Sequence, residues 1–458
     1  MMFKEVIESV PNYREFMYIN ELNESSRKLA EKYSDIVELF KIGKSTRGED
    51  IYALKVGEGE NKAILIGFPH PNEPIGSLTC EYLSWRIAED EKLRKTLDFT
   101  WYFVKAADID GAKLNEGWFK GEYDTIKHVL NYYRTPSDRQ IEWTFPIKYK
   151  NFEWNKPAPE TKALMNLIDK VKPDLVYPLH NSAFGGVYFY VSDPCPSLYP
   201  KLHKLVESEE LPLHLGEPEA PYMKKLADAI FYFPSFKEVY DFYERHSDKD
   251  PISFIKHGGS SKDYVKQASD AFLIICEMPY IFDERIVDTS PTNVSRRDTN
   301  LQGIKYWEDI YEFIKENFEE TKNYLNTSSP FYEAIYRFLE TFKPLLEAER
   351  KWAETDESLN RPATVSELFD NQVITKYYSM RIIGEFIRLL DDTVKKSTSP
   401  SKKLIATREK SYNKLLKIND EFQKEANIKV IPIQKLVRVQ VGVALYAADF
   451  VQKEYRNR

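Results

Sequence analysis

The sequence predicts an α/β domain followed by an all-helical C-terminal domain, on the strength of two observations. From about residue 35 to 280, short apolar runs bounded by glycine, proline and polar clusters alternate with amphipathic stretches, as in α/β proteins. After about residue 300, glycine becomes rare and long stretches keep a repeat of ~3.6 residues, which is typical of helices. We therefore expect domains at 1–295 and 296–458.

Six apolar runs in the first part are predicted strands. Several are apolar throughout, which favours central strands of a sheet covered on both faces. Two stretches between them, 76–89 and 159–172, have helical spacing, and the second begins with Pro159 and Glu160, as the first turn of a helix often does. The predicted strands are 51–56, 63–68, 100–104, 175–179, 187–191 and 271–276.

Four long helices are predicted in the second part. A polar segment, STSPS at 397–401, separates the last two, and the turn-rich segment 290–302 is a predicted linker between the domains. The apolar faces of these helices could also hold two copies of the chain together, so a homo-oligomer is an expectation. The predicted helices are 305–325, 331–354, 375–394 and 406–426.

Length, charge and cysteine content exclude several classes of protein. A chain of 458 residues exceeds the size at which one hydrophobic core stops growing, which favours two domains. A net charge of −7 argues against a nucleic-acid partner, because phosphate binding requires a concentrated basic surface. No apolar run is long enough for a membrane span or a signal peptide, so we expect a soluble, cytoplasmic protein. The three cysteines are far apart and form no CxxC pair, so histidines and carboxylates would hold any metal.

His70 and Glu73 stand in the segment FPHPNEPIG, directly after the predicted strand 63–68. Only two residues separate them, so a short turn can aim both side chains at one point. Catalytic zinc ions take nitrogen and oxygen donors and keep one position open for water. The pair is therefore a candidate for two zinc ligands, although an ordinary surface turn would have the same spacing.

His180 and Glu277 close two other apolar strands, in LVYPLHNSAFGG and AFLIICEMPY. Ligands bind outside the carboxyl ends of strands in open α/β sheets, so side chains from several strand ends can converge there. His180 is a candidate third ligand, and the alternative is a core histidine that only packs. A carboxylate at the end of an apolar strand is costly to bury. Beside a metal, Glu277 could accept a proton from water and deliver it to a leaving amine.

These segments resemble the zinc carboxypeptidase family, peptidase family M14, over about residues 10–285. Three further segments are similar to that family: FKIGKSTRGEDIYALKVGEG, KAADIDGAKLNEGW and GGSSKDY. The resemblance implies a mixed, largely parallel sheet flanked by helices, one zinc ion per chain, and hydrolysis of peptide or amide bonds by promoted-water attack. The implied roles are zinc ligand for His70, Glu73 and His180, catalytic base for Glu277, and contact with the substrate backbone for Asn181 and Ser182.

The segment QIEWTF at 140–145 departs from the family's pattern. Glu142 and Trp143 stand where the family has the Asn–Arg pair that holds a substrate's C-terminal carboxylate. Gln140 replaces the aspartate that orients the first zinc histidine. The usual basis of exopeptidase specificity is therefore absent from this sequence.

Three basic residues are candidates for the functions that this departure leaves open. Arg134 and Arg139 could stabilise an oxyanion or clamp a carboxylate, and Arg134 is our candidate on the oxyanion side. Lys262 aligns with the base of the family's side-chain pocket, where a cation would favour acidic C-terminal groups. Solvated surface charges are the alternative for all three. Among the other histidines, only His257 is a candidate for substrate contact, and the rest are expected to be structural.

Three functions remain open on this evidence. The first is a zinc metallocarboxypeptidase, for which Lys262 would give a preference for acidic C-terminal groups. The second is a zinc deacylase or amidase that acts on N-acyl amino acids or peptidoglycan-type isopeptides, which the missing Asn–Arg pair favours. The third is a catalytically inactive interaction protein, against which His70, Glu73, His180 and Glu277 all count. The expected partner is a peptide or an acylated amino acid, with no nucleic acid and no membrane.

Overall fold

The computed structural model describes residues 2–456. Its strands, in chain order, are β1 Val37–Lys44, β2 Asp50–Val56, β3 Asn61–Ile66, β4 Phe99–Val104, β5 Ile147–Tyr149, β6 Phe152–Trp154, β7 Leu175–Pro178, β8 Tyr188–Val191, β9 Lys224–Ala227, β10 Ile230–Tyr232, β11 Phe272–Glu277, β12 Ile281–Phe282, β13 Pro291–Ser295, β14 Pro362–Thr364 and β15 Lys429–Val430.

The helices flank these strands and fill the last third of the chain. In chain order they are α1 Met2–Glu8, α2 Ile19–Lys32, α3 Ile75–Glu89, α4 Glu91–Thr96, α5 Ile109–Asn115, α6 Thr125–Leu130, α7 Pro159–Val171, α8 Tyr199–Ser208, α9 Phe236–His246, α10 Ser261–Ala268, α11 Arg296–Thr321, α12 Pro330–Thr355, α13 Val365–Phe369, α14 Thr375–Lys396, α15 Lys402–Glu425 and α16 Ile433–Phe450. Among the residues described, no helix is both long and apolar enough for a membrane span.

Nine strands form the main sheet, in the order β1-β2-β4-β3-β7-β11-β8-β10-β9. The four central strands β4, β3, β7 and β11 run parallel to one another. The strands outside them are mostly antiparallel to their neighbours, apart from the parallel pair β8 and β10. The predicted class is confirmed: a mixed, largely parallel sheet flanked by helices, followed by a helical C-terminal region.

The elements predicted from periodicity correspond to observed ones. The six predicted strands are β2, β3, β4, β7, β8 and β11, and the six predicted helices are α3, α7, α11, α12, α14 and α15. The segment 290–302 differs, because it forms β13 and the first turns of α11 rather than a turn-rich linker. Strand β13 pairs with β14, and the Ser295 hydroxyl accepts a hydrogen bond from the Asp298 backbone N–H at 3.0 Å, which caps α11.

The helical region packs closely on the sheet-containing part of the chain. Helix α16 lies against α1, α3 and α8, and α14 lies against α6. Buried apolar residues of the sheet, α14 and α16 belong to one continuous cluster. The helices therefore cover surface around the sheet, and the domain boundary near residue 295 stays a prediction.

The contact between α14 and α6 depends on a glycine. A Cβ atom added at Gly384 would collide with the backbone carbonyl oxygen of Val129, which has little freedom to move. Replacing Gly384 with alanine should therefore lower the free energy of unfolding by about 1–3 kcal/mol, as overpacking typically does. Chemical denaturation of the two proteins measures the difference.

Gly442→Ala is the matched control, because it adds the same methyl group to another helix. There the added Cβ would meet only the outer side-chain atoms of Leu205, which can rotate away. We expect a smaller loss of stability. Equal losses in the two variants would show that the close approach of α14 to α6 has no special role.

Candidate metal centre and active-site cleft

Three neighbouring parallel strands end at one place on the sheet. Strands β3, β7 and β11 are adjacent, so their carboxyl ends share one edge. His70 and Glu73 follow β3, His180 follows β7, and Glu277 is the last residue of β11. The topology thus brings together the four side chains that were predicted from the sequence to lie at or just after the ends of strands.

His70, Glu73 and His180 form a compact cluster of possible metal ligands. One ligand atom from each lies within 4.8 Å of the others. The Nδ1 atom of His70 is 2.9 Å from one carboxylate oxygen of Glu73, and the Nδ1 atom of His180 is 3.1 Å from the other. All three side chains are buried. Two imidazole nitrogens around one carboxylate are a donor set that suits zinc, so these residues fit the metal.

Asn181 holds the two ligand-bearing loops together. Its side-chain oxygen accepts hydrogen bonds from the Ile75 backbone N–H at 3.1 Å and from the Tyr280 hydroxyl at 3.2 Å. The same hydroxyl also donates to the Asn72 carbonyl oxygen at 3.0 Å. The loop after β3 is therefore tied to the loop after β7, which fixes the spacing between Glu73 and His180.

Burial and mutual charge set the ionisation of the cluster. Burial, aided by the positive charge of Arg134, lowers the pKa of His70 to about 3. Burial also opposes the charging of His180, but the carboxylates of Glu73 and Glu277 outweigh it and raise its pKa to about 9. Zinc binds a neutral imidazole, so a metal at His180 would compete with a proton for its ring nitrogen.

Glu277 lies beside the cluster without belonging to the tight ligand set. Its carboxylate oxygen is 3.8 Å from the Nδ1 atom of His180, and burial raises its pKa well above the usual value. A buried carboxyl group with a raised pKa holds a proton more readily than a free one, which suits a group that both accepts and returns a proton. Glu277 is therefore placed where a general base would act.

Arg134 reaches the cluster from the loop after α6. Its Nη1 atom donates hydrogen bonds to Glu73 Oε1 at 2.9 Å and to the Asn72 side-chain oxygen at 3.1 Å. The guanidinium thus stands at the edge of the proposed ligand set, where it could neutralise charge that develops on a substrate oxygen.

These residues open into one cleft of about 520 Å³. Its lining includes His70, Glu73, Arg134, His180, Ser182 and Glu277. A volume of this size is usual for sites that hold small ligands or a few residues of peptide. The Ser182 hydroxyl is buried there without a hydrogen-bond partner among the residues described, so it is available to a ligand.

Comparison with known proteins identifies the family to which the chain belongs. A family model described as "Zinc carboxypeptidase" matches residues 22–280, which is more than half of the chain. The chain belongs to this family. The matched segment contains both histidines of the cluster, Glu73 and Glu277.

The relatives of this zinc carboxypeptidase family member are distant. Carboxypeptidase Z of Mus musculus is 26% identical over 184 residues, covering 34% of this chain and 28% of its own. Mast cell carboxypeptidase A of Rattus norvegicus is 27% identical over 186 residues, covering 36% and 45%. Inactive metallocarboxypeptidase ecm14 of Schizosaccharomyces pombe is 30% identical over 115 residues, covering 22% and 23%. The chain therefore spans less than half the length of each of these relatives.

The chain is also similar to solved structures. One is carboxypeptidase A from Helicoverpa armigera, with 14% identity and a TM-score of 0.38, covering 61% of this chain and 71% of its own. A metallo-carboxypeptidase from Pseudomonas aeruginosa has 18% identity and a TM-score of 0.32, covering 56% and 59%.

The residues near the Nε2 atom of His70 differ from the family's pattern, as the sequence indicated. Gln140 stands in place of the orienting aspartate, and its side-chain nitrogen donates to the Thr135 carbonyl oxygen at 2.7 Å. The Nε2 atom of His70 is buried without a hydrogen-bond partner among residues 2–456. Among the described residues, His70 therefore lacks the outer carboxylate that would orient its ring.

Two predicted substrate-binding residues, Arg139 and Lys262, have partners within the fold. Both guanidinium nitrogens Nη1 and Nη2 of Arg139 donate to the carboxylate of Glu333, at 2.6 and 2.7 Å. The Nζ atom of Lys262 donates to the Phe233 carbonyl oxygen at 2.5 Å and lies 3.9 Å from the ring centre of Tyr232. Neither cation is itself in the cleft lining, but Phe233, the partner of Lys262, is. The acidic preference expected from Lys262 therefore stays a prediction.

The remaining histidines are placed as the sequence suggested. His257 lines the cleft, and its Nδ1 atom is 2.9 Å from the Gly258 carbonyl oxygen. The others bond to parts of the fold outside the cleft: His128 to Tyr377, His203 to Asp228, His214 to Asp370 and His246 to Phe242.

Several cleft residues were not identified from the sequence. Tyr378 and Arg381 of α14 line the cleft together with Tyr132. Glu142 is buried there as well, with its carboxylate 3.9 Å from the Nε2 atom of His180 and accepting a hydrogen bond from the Ser261 backbone N–H at 3.2 Å. Glu142 was singled out only as a departure from the family's pattern, and no sequence signal marks the two residues of α14.

Glu385 connects α14 to the loop that carries Arg134. Its carboxylate accepts a hydrogen bond from the Arg134 backbone N–H at 3.0 Å, and the side chain is 2% exposed. Burial raises the pKa of Glu385 from 4.5 to about 7. A carboxyl group with a raised pKa binds a proton more readily in the folded state, so folding stability falls as the pH rises from about 4.5 to about 7.

Replacing Glu385 with glutamine should remove this part of the pH dependence. Glutamine keeps an oxygen for the Arg134 N–H and does not ionise. We expect the loss of unfolding free energy between pH 5 and pH 8 to be about 2–3 kcal/mol smaller in the variant than in the natural sequence. Denaturant titrations at both pH values measure it, with the exposed Glu409→Gln as control. Identical pH profiles for the natural sequence and Glu385→Gln would contradict the assignment.

Proposed function

We propose that this chain is a zinc-dependent hydrolase of peptide or amide bonds, most simply a metallocarboxypeptidase. The observation that carries the proposal is the convergence of His70, Glu73, His180 and Glu277 at three adjacent strand ends, inside one cleft. Membership of the zinc carboxypeptidase family supports the same reaction class.

His70, Glu73 and His180 would hold the zinc ion in this proposal. Zinc bound there would supply a Lewis acid for the scissile carbonyl group and would favour deprotonation of water. Glu277 accepts the proton from the attacking water and returns it to the leaving nitrogen. Arg134 donates to the oxygen that gains negative charge.

A deacylase or amidase is the second candidate. It is favoured by Glu142 and Trp143, which line the cleft at the positions where the family has its carboxylate-binding Asn–Arg pair. A catalytically inactive interaction protein is the third candidate, since the relative ecm14 is named as inactive. The intact base and ligand set support catalysis over this third candidate.

A substrate panel tests the proposal. The zinc-loaded protein is incubated with an N-blocked peptide that has a free C-terminal carboxylate, with the same peptide as a C-terminal amide, and with N-acyl amino acids, and mass spectrometry identifies the products. Release of the C-terminal residue from the free acid is the expected result. Cleavage of N-acyl amino acids alone would favour the deacylase, and no cleavage of any substrate would contradict the proposal.

A further inference from the structure

Arg381 places a cation in the cleft from a part of the chain that the family model does not match. It lies on α14, beyond the matched residues 22–280. Together with Tyr132 and Tyr378, it lines the same cleft as the proposed zinc ligands and Glu277. A ligand that fills this cleft would therefore meet both the proposed reaction centre and the guanidinium of Arg381.

Two tyrosines hold this guanidinium in place. Its central carbon is 4.2 Å from the ring centre of Tyr132 and 4.9 Å from that of Tyr378. One nitrogen, Nη2, donates a hydrogen bond to the Tyr132 hydroxyl. Stacking on aromatic faces orients an arginine and leaves the edge of its planar donor group free.

Arg381 has no carboxylate partner among the residues described. A guanidinium carries five N–H donors, and only one hydrogen bond from Arg381 is formed within residues 2–456. Glu385, on the same helix, instead accepts the Arg134 backbone N–H. A partly buried cation with unused donors is stabilised strongly by an anion that fits it.

Arg134, the other arginine of the cleft lining, has a carboxylate partner. Arg134 donates to Glu73 and Asn72, whereas Arg388, further along α14, donates to the backbone carbonyl oxygens of Asn131, Tyr132 and Leu114. Within the part of the chain that the structure describes, Arg381 is thus the one arginine of the cleft lining that lacks a carboxylate partner.

We propose that Arg381, held between Tyr132 and Tyr378, binds a carboxylate of the substrate and so sets the specificity of the cleft. This inference rests on the proposed hydrolase function. It assigns to a residue of the helical region the recognition that the absent Asn–Arg pair leaves open. The carboxylate is either the C-terminal group of the substrate or an acidic side chain, which have the same chemistry and are separated by the choice of substrates.

The kinetic test compares substrate pairs that differ in one carboxylate. One pair is a peptide with a C-terminal acid or amide, and the other has Glu or Gln as the last residue with the C-terminus kept as an amide. For the pair that carries the recognised group, the natural sequence should show a kcat/KM ratio of acid to neutral form of about 10 to 100. Arg381→Met should reduce this ratio to about 1, and Arg381→Lys should give an intermediate value because lysine keeps the charge without the planar fork.

A matched control is Arg350→Met, which removes an arginine of the helical region that pairs with Glu308 at 2.8 Å, outside the cleft lining. It should leave both ratios unchanged. Should Arg381→Met lower kcat/KM for acid and neutral forms by the same factor, the residue would be structural and the inference would be overturned. A ratio near 1 for both pairs in the natural sequence would overturn it as well.

A binding measurement separates this inference from the hydrolase proposal. Calorimetric titration of the Glu277→Gln protein with N-acetylphenylalanine, N-acetylphenylalanine amide and the amides of N-acetylglutamate and N-acetylglutamine requires no turnover. We expect tighter binding of an acid than of its neutral partner, and loss of that difference in Glu277→Gln/Arg381→Met. Equal affinities in the single variant would contradict an anion site at Arg381 whether or not the protein hydrolyses amide bonds.

Discussion

A protein in which Glu277 is replaced by glutamine should hydrolyse its best substrate about 10²- to 10⁴-fold more slowly than the natural sequence, with its zinc content and fold retained. Glutamine has nearly the same shape as glutamate, but its amide cannot accept a proton from water. The side chain lies beside His180 at 3.8 Å without belonging to the tight ligand set, so we expect the variant to keep its zinc. Steady-state kinetics and elemental analysis measure the two quantities on one preparation.

Glu160→Gln provides the control for this experiment. Glu160 is also a buried glutamate, but it accepts its hydrogen bonds from Thr46, at 2.6 and 3.1 Å, outside the cleft lining. The same chemical change there should leave kcat close to that of the natural sequence. Glu277→Gln with full activity would remove Glu277 from the mechanism, and loss of zinc in that variant would make it a ligand instead of a base.

The second large effect is expected from replacing His180 with alanine. A three-ligand site that loses one nitrogen donor keeps too few protein bonds to retain zinc. Since removal of an outer-shell partner alone costs about 10- to 100-fold in affinity, loss of His180 should weaken zinc binding by more than about 100-fold and abolish hydrolysis. Competition with a chelator of known affinity measures the change.

His203→Ala is the matched control for that variant. His203 bonds through Nε2 to the Asp228 carbonyl oxygen at 2.8 Å, outside the cleft lining. Its removal should leave zinc affinity unchanged. Zinc bound by His180→Ala as tightly as by the natural sequence would place the metal at other residues.

The sequence contains enough information to predict the centre of the site. Apolar strands that each end in a histidine or a carboxylate are visible as short runs, and parallel strands must end on the same edge of the sheet. His70, His180 and Glu277 could therefore be brought together before any coordinates were considered. The structure adds the distances within the cluster and shows that Asn181 fixes them through Ile75 and Tyr280.

The walls of the cleft could not be predicted in the same way. Helical periodicity located α14, but it does not determine what the residues of a helix face touch. The contact of Arg381 with Tyr132 joins positions that are remote in sequence. Neither residue has a neighbouring motif that would mark it as part of a site. The position of Gln440 of α16 could not be predicted for the same reason. Its side-chain nitrogen donates to the His180 carbonyl oxygen at 2.9 Å.

Lys262 shows how the start of a helix sets the direction of a side chain. Its segment, GGSSKDY, matches the family's spacing, yet helix α10 begins at Ser261 and directs the lysine toward the Phe233 carbonyl oxygen. The orientation of a side chain at a helix start depends on the exact residue at which the helix begins, which sequence patterns locate only within a few residues. Its position in the motif alone therefore could not predict its contact with Phe233.

A zinc titration of the metal-stripped protein tests whether this chain is a zinc-dependent hydrolase. Zinc is added in steps, and hydrolysis of the best peptide or amide substrate is measured together with the amount of metal bound. We expect activity to rise in proportion to bound zinc and to stop rising at one zinc ion per chain, and the His180→Ala protein to stay inactive throughout. Hydrolysis by the metal-free protein, or zinc bound at that stoichiometry without hydrolysis of any substrate in the panel, would contradict it.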